Sequence, residues 1–321
     1  MEKITLLDTS VGSTNKGDEI IMKCVEEEMR YLLEQYYVLK VPTHLCSFNA
    51  MECLWKLPDS ASEIFSSKYK FVCGTNLLSG NMFHRTNQWD INLLNCKPFK
   101  ESILIGVGGL TNVADFYTKK LYQKILSPKY VHSVRDKKAY DLMCSMGLKC
   151  INTGCVTMWK LTPEFCEQIP VMKTNKVVFT LTDYKRDAER DTKMIQILRE
   201  NYEEILFWIQ GIHDLEYLQS LTDISDIKII PPNVQAYENV LNMNVDYVGT
   251  RLHAGIFALR HKVRSIIISV DERMDALAEK ITENCLLRKD IDKLHEKINS
   301  KIITECFLDW DAVKEWKEQF V

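Results

Sequence analysis

The chain has 321 residues, 46% hydrophobic and 26% charged, with 44 acidic side chains against 41 basic for a formal net charge of −3. At roughly 100–200 residues per domain these values predict two globular domains, and they exclude a disordered chain, a collagen-like repeat and a strongly basic nucleic-acid binder. No apolar run approaches the roughly 18–20 residues of a bilayer-spanning helix, and Met1-Glu2-Lys3-Ile4 enters a strand-like segment without the marks of a secretion signal, so neither a span nor a leader is expected.

Short β-branched runs alternate with longer amphipathic stretches, the pattern of βαβ units feeding parallel sheets. In the first half, strands are predicted near Ile4–Asp8, Tyr37–Val41, Tyr69–Cys73, Ser102–Val107, Tyr130–Val134 and Lys149–Asn152, with helices over Gly17–Leu33, Asp115–Leu126 and Asp136–Met146. The stretch Leu161–Asn175 breaks the rhythm with Pro163 and Pro170 and reads as a linker. A second series follows, with strands near Lys176–Leu181, Ile205–Ile209, Ile227–Ile230, Val245–Gly249 and Ser265–Val270. Helices are predicted between and after them at Ala188–Asn201, Asp214–Leu221, Val234–Leu241, His253–Arg260 and Met274–Asn284. Beyond Arg288 the pattern reads as helical, and Trp310, Val313, Trp316 and Phe320 form a stripe that should dock a terminal helix. The expected fold is therefore α/β, with a Rossmann-like doubly wound domain over residues 1–160, a second over 175–285 and a helical extension over 286–321.

Eleven cysteines are scattered without a C-x-x-C pair, which suits a reducing compartment and gives no metal-ligand spacing, so no metal is expected. In open α/β sheets ligands bind beyond the carboxyl ends of the strands, so the strand-to-helix edges are where chemistry is sought. The first edge, Val11-Gly12-Ser13-Thr14-Asn15-Lys16-Gly17-Asp18-Glu19, is either an anion or sugar-hydroxyl site or a plain helix start, with Asp18 capping and Asn15 shaping the turn. It matches neither G-x-G-x-x-G nor a P-loop, so nucleotide binding is not supported there. Gly108-Gly109 and Cys73-Gly74-Thr75-Asn76 end strands in turns that fit either a ligand's close approach or a tight bend. Arg135, followed by Asp136, is either an anion clamp or half of a surface ion pair. At Gly249-Thr250-Arg251-Leu252-His253-Ala254-Gly255, a fixed charge and a titratable donor flank the start of a small-residue helix, which favours an anion site. Arg273 adds a cation after the next strand.

The ordered set Asn15-x-Gly17-Asp18-Glu19, Gly108-Gly109, Ser133-x-Arg135-Asp136, Gly154 and Arg251-x-His253-Ala254 resembles the polysaccharide pyruvyl transferase family over about residues 4–280. The resemblance implies a GT-B-like pair of Rossmann-like domains, acceptor side first and donor-phosphate side second. The implied reaction moves the pyruvyl group of phosphoenolpyruvate onto two hydroxyls of a sugar in a cell-surface polysaccharide precursor, giving a cyclic ketal and phosphate. By position, Arg135, Arg251 and Arg273 hold the donor, His253 supplies the acid and Asp18 the base, and Asn15, Gly108 and Gly109 face the acceptor. No cofactor is implied beyond phosphoenolpyruvate as donor substrate, and no nucleic acid. The acceptor is a sugar or lipid-linked oligosaccharide, the location cytoplasmic with at most peripheral contact at the inner face of the membrane, and the oligomeric state is left open. Two departures stand out. Arg273 occupies the place of a family lysine and cannot transfer a proton, and Thr75 interrupts what is usually a run of glycines. A GT-B glycosyltransferase using a nucleotide sugar and a non-catalytic sugar-binding relative stay open as alternatives.

Overall fold

The computed structural model describes residues 1–55, 58–84, 88–271, 274 and 280–320. The chain divides into two compact units: Met1–Ser13, Ile21–Trp159 and Leu308–Val321 form one, and Thr14–Ile20 with Lys160–Phe307 form the other.

In the first unit, β1 (Lys3–Asp8), β2 (Tyr37–Pro42), β3 (Tyr69–Cys73) and β4 (Ser102–Ile105) make a parallel sheet ordered β2-β1-β3-β4. A further parallel pair, β5 (His132–Val134) and β6 (Cys150–Asn152), is joined to it just past β4, where Arg135 donates its backbone N–H to the Val107 carbonyl at 3.2 Å. Every residue of β3 and β4 is buried, as a parallel sheet covered on both faces requires. Leu7, Val72, Leu104 and Val107 pack there with Leu121, Leu142 and Met143 from the covering helices. The terminal helix Trp310–Glu318 belongs to this unit. Val313, Trp316 and Phe320 are buried, Trp310 is half-buried, and the Trp316 indole donates to the Val131 carbonyl at 2.9 Å.

The second unit holds β7 (Lys176–Thr180), β8 (Glu204–Trp208), β9 (Ile227–Ile230), β10 (Asp246–Gly249), β11 (Ser265–Ser269) and β12 (Cys285–Leu287), all parallel and ordered β12-β11-β10-β7-β8-β9. The winding direction reverses between β7 and β10, the place where doubly wound sheets open a crevice at their carboxyl ends. Thr180 pairs with Gly249 in register, and a Cβ on Gly249 would lie 2.4 Å from the Thr180 hydroxyl, so glycine is what lets the two strands end side by side. Behind them the helix Leu252–Arg260 presses Gly255 against Ile267, where a Cβ would come within 2.4 Å of that side chain.

The expected fold class is present: two Rossmann-like parallel sheets with a helical C-terminus. Several details differ. The long first helix stops at Glu28, Met29 leaves helical geometry with ψ near 9°, and a short helix resumes over Arg30–Leu33. Strand β12 falls between two stretches expected to be helical, and its three residues are too few to show a period. The extension is helical only in parts: a 3₁₀ segment Arg288–Lys293, the helix Leu294–Asn299, then irregular chain to the terminal helix. The linker stretch holds one helical turn, Pro163–Cys166, capped by the Thr162 hydroxyl. Of the helix expected over Met274–Asn284, residues 275–279 lie outside the described residues, and its last three residues form a 3₁₀ turn, Thr282–Asn284. Among those described, no helix is long and apolar enough to cross a membrane.

Candidate functional site

The site in the second unit is built where β7, β8 and β10 end. Arg251 directly follows this edge and is 3% exposed. Its Nε donates to the Leu181 carbonyl at 2.8 Å and to Asp214 Oδ2 at 3.1 Å, while Nη2 bonds Asp214 Oδ1 and reaches Asp183 Oδ1 at 2.7 Å. Asp214, at 0% exposure, opens the helix Asp214–Leu221 and also accepts the Gly211 N–H at 2.7 Å and the Asp183 N–H at 3.3 Å. Burial holds the Asp214 carboxyl above its ordinary range, and Arg251 offsets only part of that rise. Burial works against the Arg251 charge, but Asp214, Tyr184 and Asp183 together hold its pKa above the ordinary value. The Tyr184 ring lies 5.2 Å from the guanidinium.

Asn15, Gly17 and Asp18 reach this edge although they come from the start of the chain. Residues 14–16 pair with the loop after β8: the Lys16 N–H donates to the Gln210 carbonyl at 2.9 Å, and the Ile212 N–H to the Thr14 carbonyl at 3.1 Å. The Asn15 carboxamide oxygen accepts from the Gly17 N–H at 3.0 Å and from the Gln210 side chain at 2.8 Å. Asn15 is thus the cap of the helix Lys16–Glu28, a role the sequence reading had offered to Asp18. Asp18 is buried in the first turn, where the helix dipole favours its negative charge.

Two glycines matter here for space rather than for backbone freedom. A Cβ on Gly17 would stand 2.9 Å from the Gln210 amide nitrogen and 3.3 Å from His253 Nδ1. One on Gly211 would come within 2.1 Å of Arg251 Nη2. His253 is the second residue of the helix Leu252–Arg260 and is half-buried, so one small region gathers the imidazole, the first turn carrying Asp18, and the Arg251 cluster.

The first unit's edge is assembled differently. Arg135 follows the β5 strand and donates through Nη2 to the Asn76 carboxamide oxygen, while its Nε lies 3.7 Å from Asp136. Asp136 is occupied elsewhere. It caps the helix Lys137–Ser145 through the Ala139 N–H at 2.8 Å and accepts the Gly109 N–H at 3.2 Å. The space beside the glycine pair is filled by the protein itself: a Cβ on Gly108 would meet Asn76 at 2.4 Å and Arg135 at 2.5 Å, and one on Gly109 the Ala139 backbone at 2.6 Å. The structure therefore brings Gly108 and Gly109 together with Arg135, and Asn15 and Asp18 together with Arg251 and His253. Arg273 lies outside the described residues.

Sequence reading missed Asp183, Asp214, Gln210 and Gly211. Each follows the carboxyl end of a strand, β7 or β8, and examining every strand end in Leu181-Thr182-Asp183 and Gln210-Gly211-Ile212-His213-Asp214 would have found them. Among the described residues no group of three His, Cys, Asp or Glu side chains could hold a metal ion.

Fold and site together define an α/β protein with two parallel-sheet units, each presenting an arginine at a strand end. The chain belongs to the polysaccharide pyruvyl transferase family, whose match runs over residues 15–272 and takes in both edges. A search of curated proteins found no match. Among solved structures, the chain is similar to a UDP co-structure of MnaA from S. aureus, at 10% identity and TM-score 0.50, with 100% of this chain and 98% of that chain covered. That likeness shows the fold alone, and it is to the GT-B-like class. Weaker likenesses are to UDP-GlcNAc 2-epimerase from Neisseria meningitidis bound to UDP-GlcNAc, at 11% identity, 99% and 100% coverage and TM-score 0.47. Heptosyltransferase WaaC from E. coli, with ADP-2-deoxy-2-fluoro heptose, gives 11% identity, 100% coverage of both chains and TM-score 0.40.

Proposed function

We propose that this protein transfers the pyruvyl group of phosphoenolpyruvate onto two hydroxyls of a sugar in a cell-surface polysaccharide precursor, forming a cyclic ketal and releasing phosphate. The observation that carries the reading is His253 at the head of the helix Leu252–Arg260, beside Gly17 and one residue from Arg251, at the sheet's switch point in a member of this family. A helix N-terminus and an imidazole together suit a phosphate ester, since the backbone N–H groups face negative charge and the ring can donate or hold a proton.

In this reading His253 protonates the methylene carbon of the donor, which leaves an oxocarbenium-like centre at the neighbouring carbon. A sugar hydroxyl adds to that centre and gives its proton to a base, for which Asp18 is the candidate. Phosphate then leaves with its bonding electrons, and the second hydroxyl closes the ring and releases a second proton. Arg135 and Arg273 are assigned to the donor's negative charge by their place in the family pattern. Arg251 joins them once part of its present pairing is given up. The acceptor is a sugar or lipid-linked oligosaccharide, the reaction belongs to the cytoplasm, and no cofactor or metal is needed for any step.

The test is to incubate pure protein with phosphoenolpyruvate and a set of β-galactoside, β-mannoside and N-acetylhexosamine glycosides. Phosphate release should match, mole for mole, a sugar product heavier by one pyruvate less one water, and both should disappear in His253→Gln. No release with any acceptor would count against the reading.

A further inference from the structure

Arg251 faces two carboxylates, Asp214 and Asp183, so one positive charge is set against two negative ones. A polyanionic donor approaching that cluster meets net negative charge, and a close like charge costs affinity. The two carboxylates are not equivalent. Asp214 is at 0% exposure, binds the guanidinium through both oxygens and is tied down by the Gly211 and Asp183 N–H groups. Removing it would strand a buried charge. Asp183 has its side chain 18% exposed, begins the short 3₁₀ turn Asp183–Lys185, and meets Arg251 through one oxygen, so it can rotate into water at little cost. The backbone of the same turn is held from behind, where Arg288 Nη1 bonds the Lys185 carbonyl at 2.6 Å and its Nε bonds the buried Asp191 at 3.1 Å. The side chain is therefore free to turn on a fixed base.

We propose that Asp183 is a built-in stand-in for the substrate's anion: it occupies Arg251 in the empty protein and is displaced by the donor, so that only a ligand carrying a stronger anion than a carboxylate gains the guanidinium. This rests on the proposed use of phosphoenolpyruvate. Asp183 is a positioning and specificity residue in this account, and Asp214 is the permanent anchor that keeps Arg251 aimed.

The experiment is calorimetric titration of the full chain with phosphoenolpyruvate and, separately, with inorganic phosphate, comparing wild type with Asp183→Asn and Asp183→Ser. Both variants should bind both anions about tenfold more tightly, and the KM for phosphoenolpyruvate should fall in step. A merely structural role would weaken binding instead. Equal or weaker binding by the variants, with the wild type binding normally, overturns the inference while leaving the proposed function intact. Binding of phosphoenolpyruvate by neither wild type nor variants overturns the proposed function, and the inference with it.

Discussion

Arg251 and Arg135 stand at similar places, each at the end of a strand just ahead of a helix, yet they are held in opposite ways. Arg251 is packed between carboxylates, one of them fully buried, and its charge is already answered. Arg135 bonds the neutral amide of Asn76, and its neighbouring carboxylate is 3.7 Å away and engaged in capping a helix. An arginine anchored by a buried aspartate must give up a partner to take a ligand, whereas one resting on an amide keeps its charge ready for one. Residue type and edge position are the same in both, and the partners decide the role.

The most drastic way to break this contrast is to remove each arginine's acidic neighbour. Asp214→Ala should cost about 3–5 kcal/mol by urea unfolding, because it leaves Arg251 buried without its main partner. Asp136→Ala should cost only about 1 kcal/mol, the loss of a helix cap. Equal costs would erase the distinction.

A second effect acts behind Arg135. His132 on β5 is fully buried, its Nδ1 accepts the Leu104 N–H at 3.2 Å, and burial holds its pKa down to about 4. The folded state thus binds this proton less readily than the unfolded chain. Stability from the neutral ring is complete above about pH 6.5 and is lost as pH falls toward 4, by about 3 kcal/mol in all. Denaturant midpoints across that window should show the slope, and it should flatten in His132→Gln.

Arg135→Gln should weaken phosphoenolpyruvate or phosphate binding by about 10–100-fold, the worth of a charge-assisted hydrogen bond, with a stability change below about 1 kcal/mol. A large stability loss with unchanged binding would make Arg135 a structural residue. The smallest effect concerns Thr75, buried at the end of β3 with φ of +48°, a conformation that a β-branched residue adopts only under strain. Thr75→Gly should raise stability by up to about 1 kcal/mol, read as a higher urea midpoint.

Much of this was legible in the sequence because parallel sheets bury both faces, and near-continuous apolar runs such as Phe71-Val72-Cys73 and Ile266-Ile267-Ile268 announce their strands. Arg251-x-His253 and Arg135 were found for the same reason, as polar residues where such runs end. Their partners were not. Asp183 and Asp214 lie 68 and 37 residues from Arg251 along the chain, and only the order in which β7, β8 and β10 pair brings them to it. The glycines were open to two readings: Gly108 and Gly109 fit a ligand's close approach or a tight bend, and the space their side chains would fill is taken by Asn76, Arg135 and Ala139. The cap at this edge falls on Asn15 rather than Asp18, since either side chain can cap a helix that starts a residue or two along.

On the proposed reading this site takes a phosphorylated three-carbon donor and not a nucleotide sugar. This preference is tested most directly by titrating pure wild-type protein and His253→Ala in parallel with phosphoenolpyruvate and with UDP, GDP and CMP sugars. The account predicts saturable binding of phosphoenolpyruvate that is lost in His253→Ala, with no heat from the nucleotide sugars. Tight binding of a nucleotide sugar with none of phosphoenolpyruvate would contradict it.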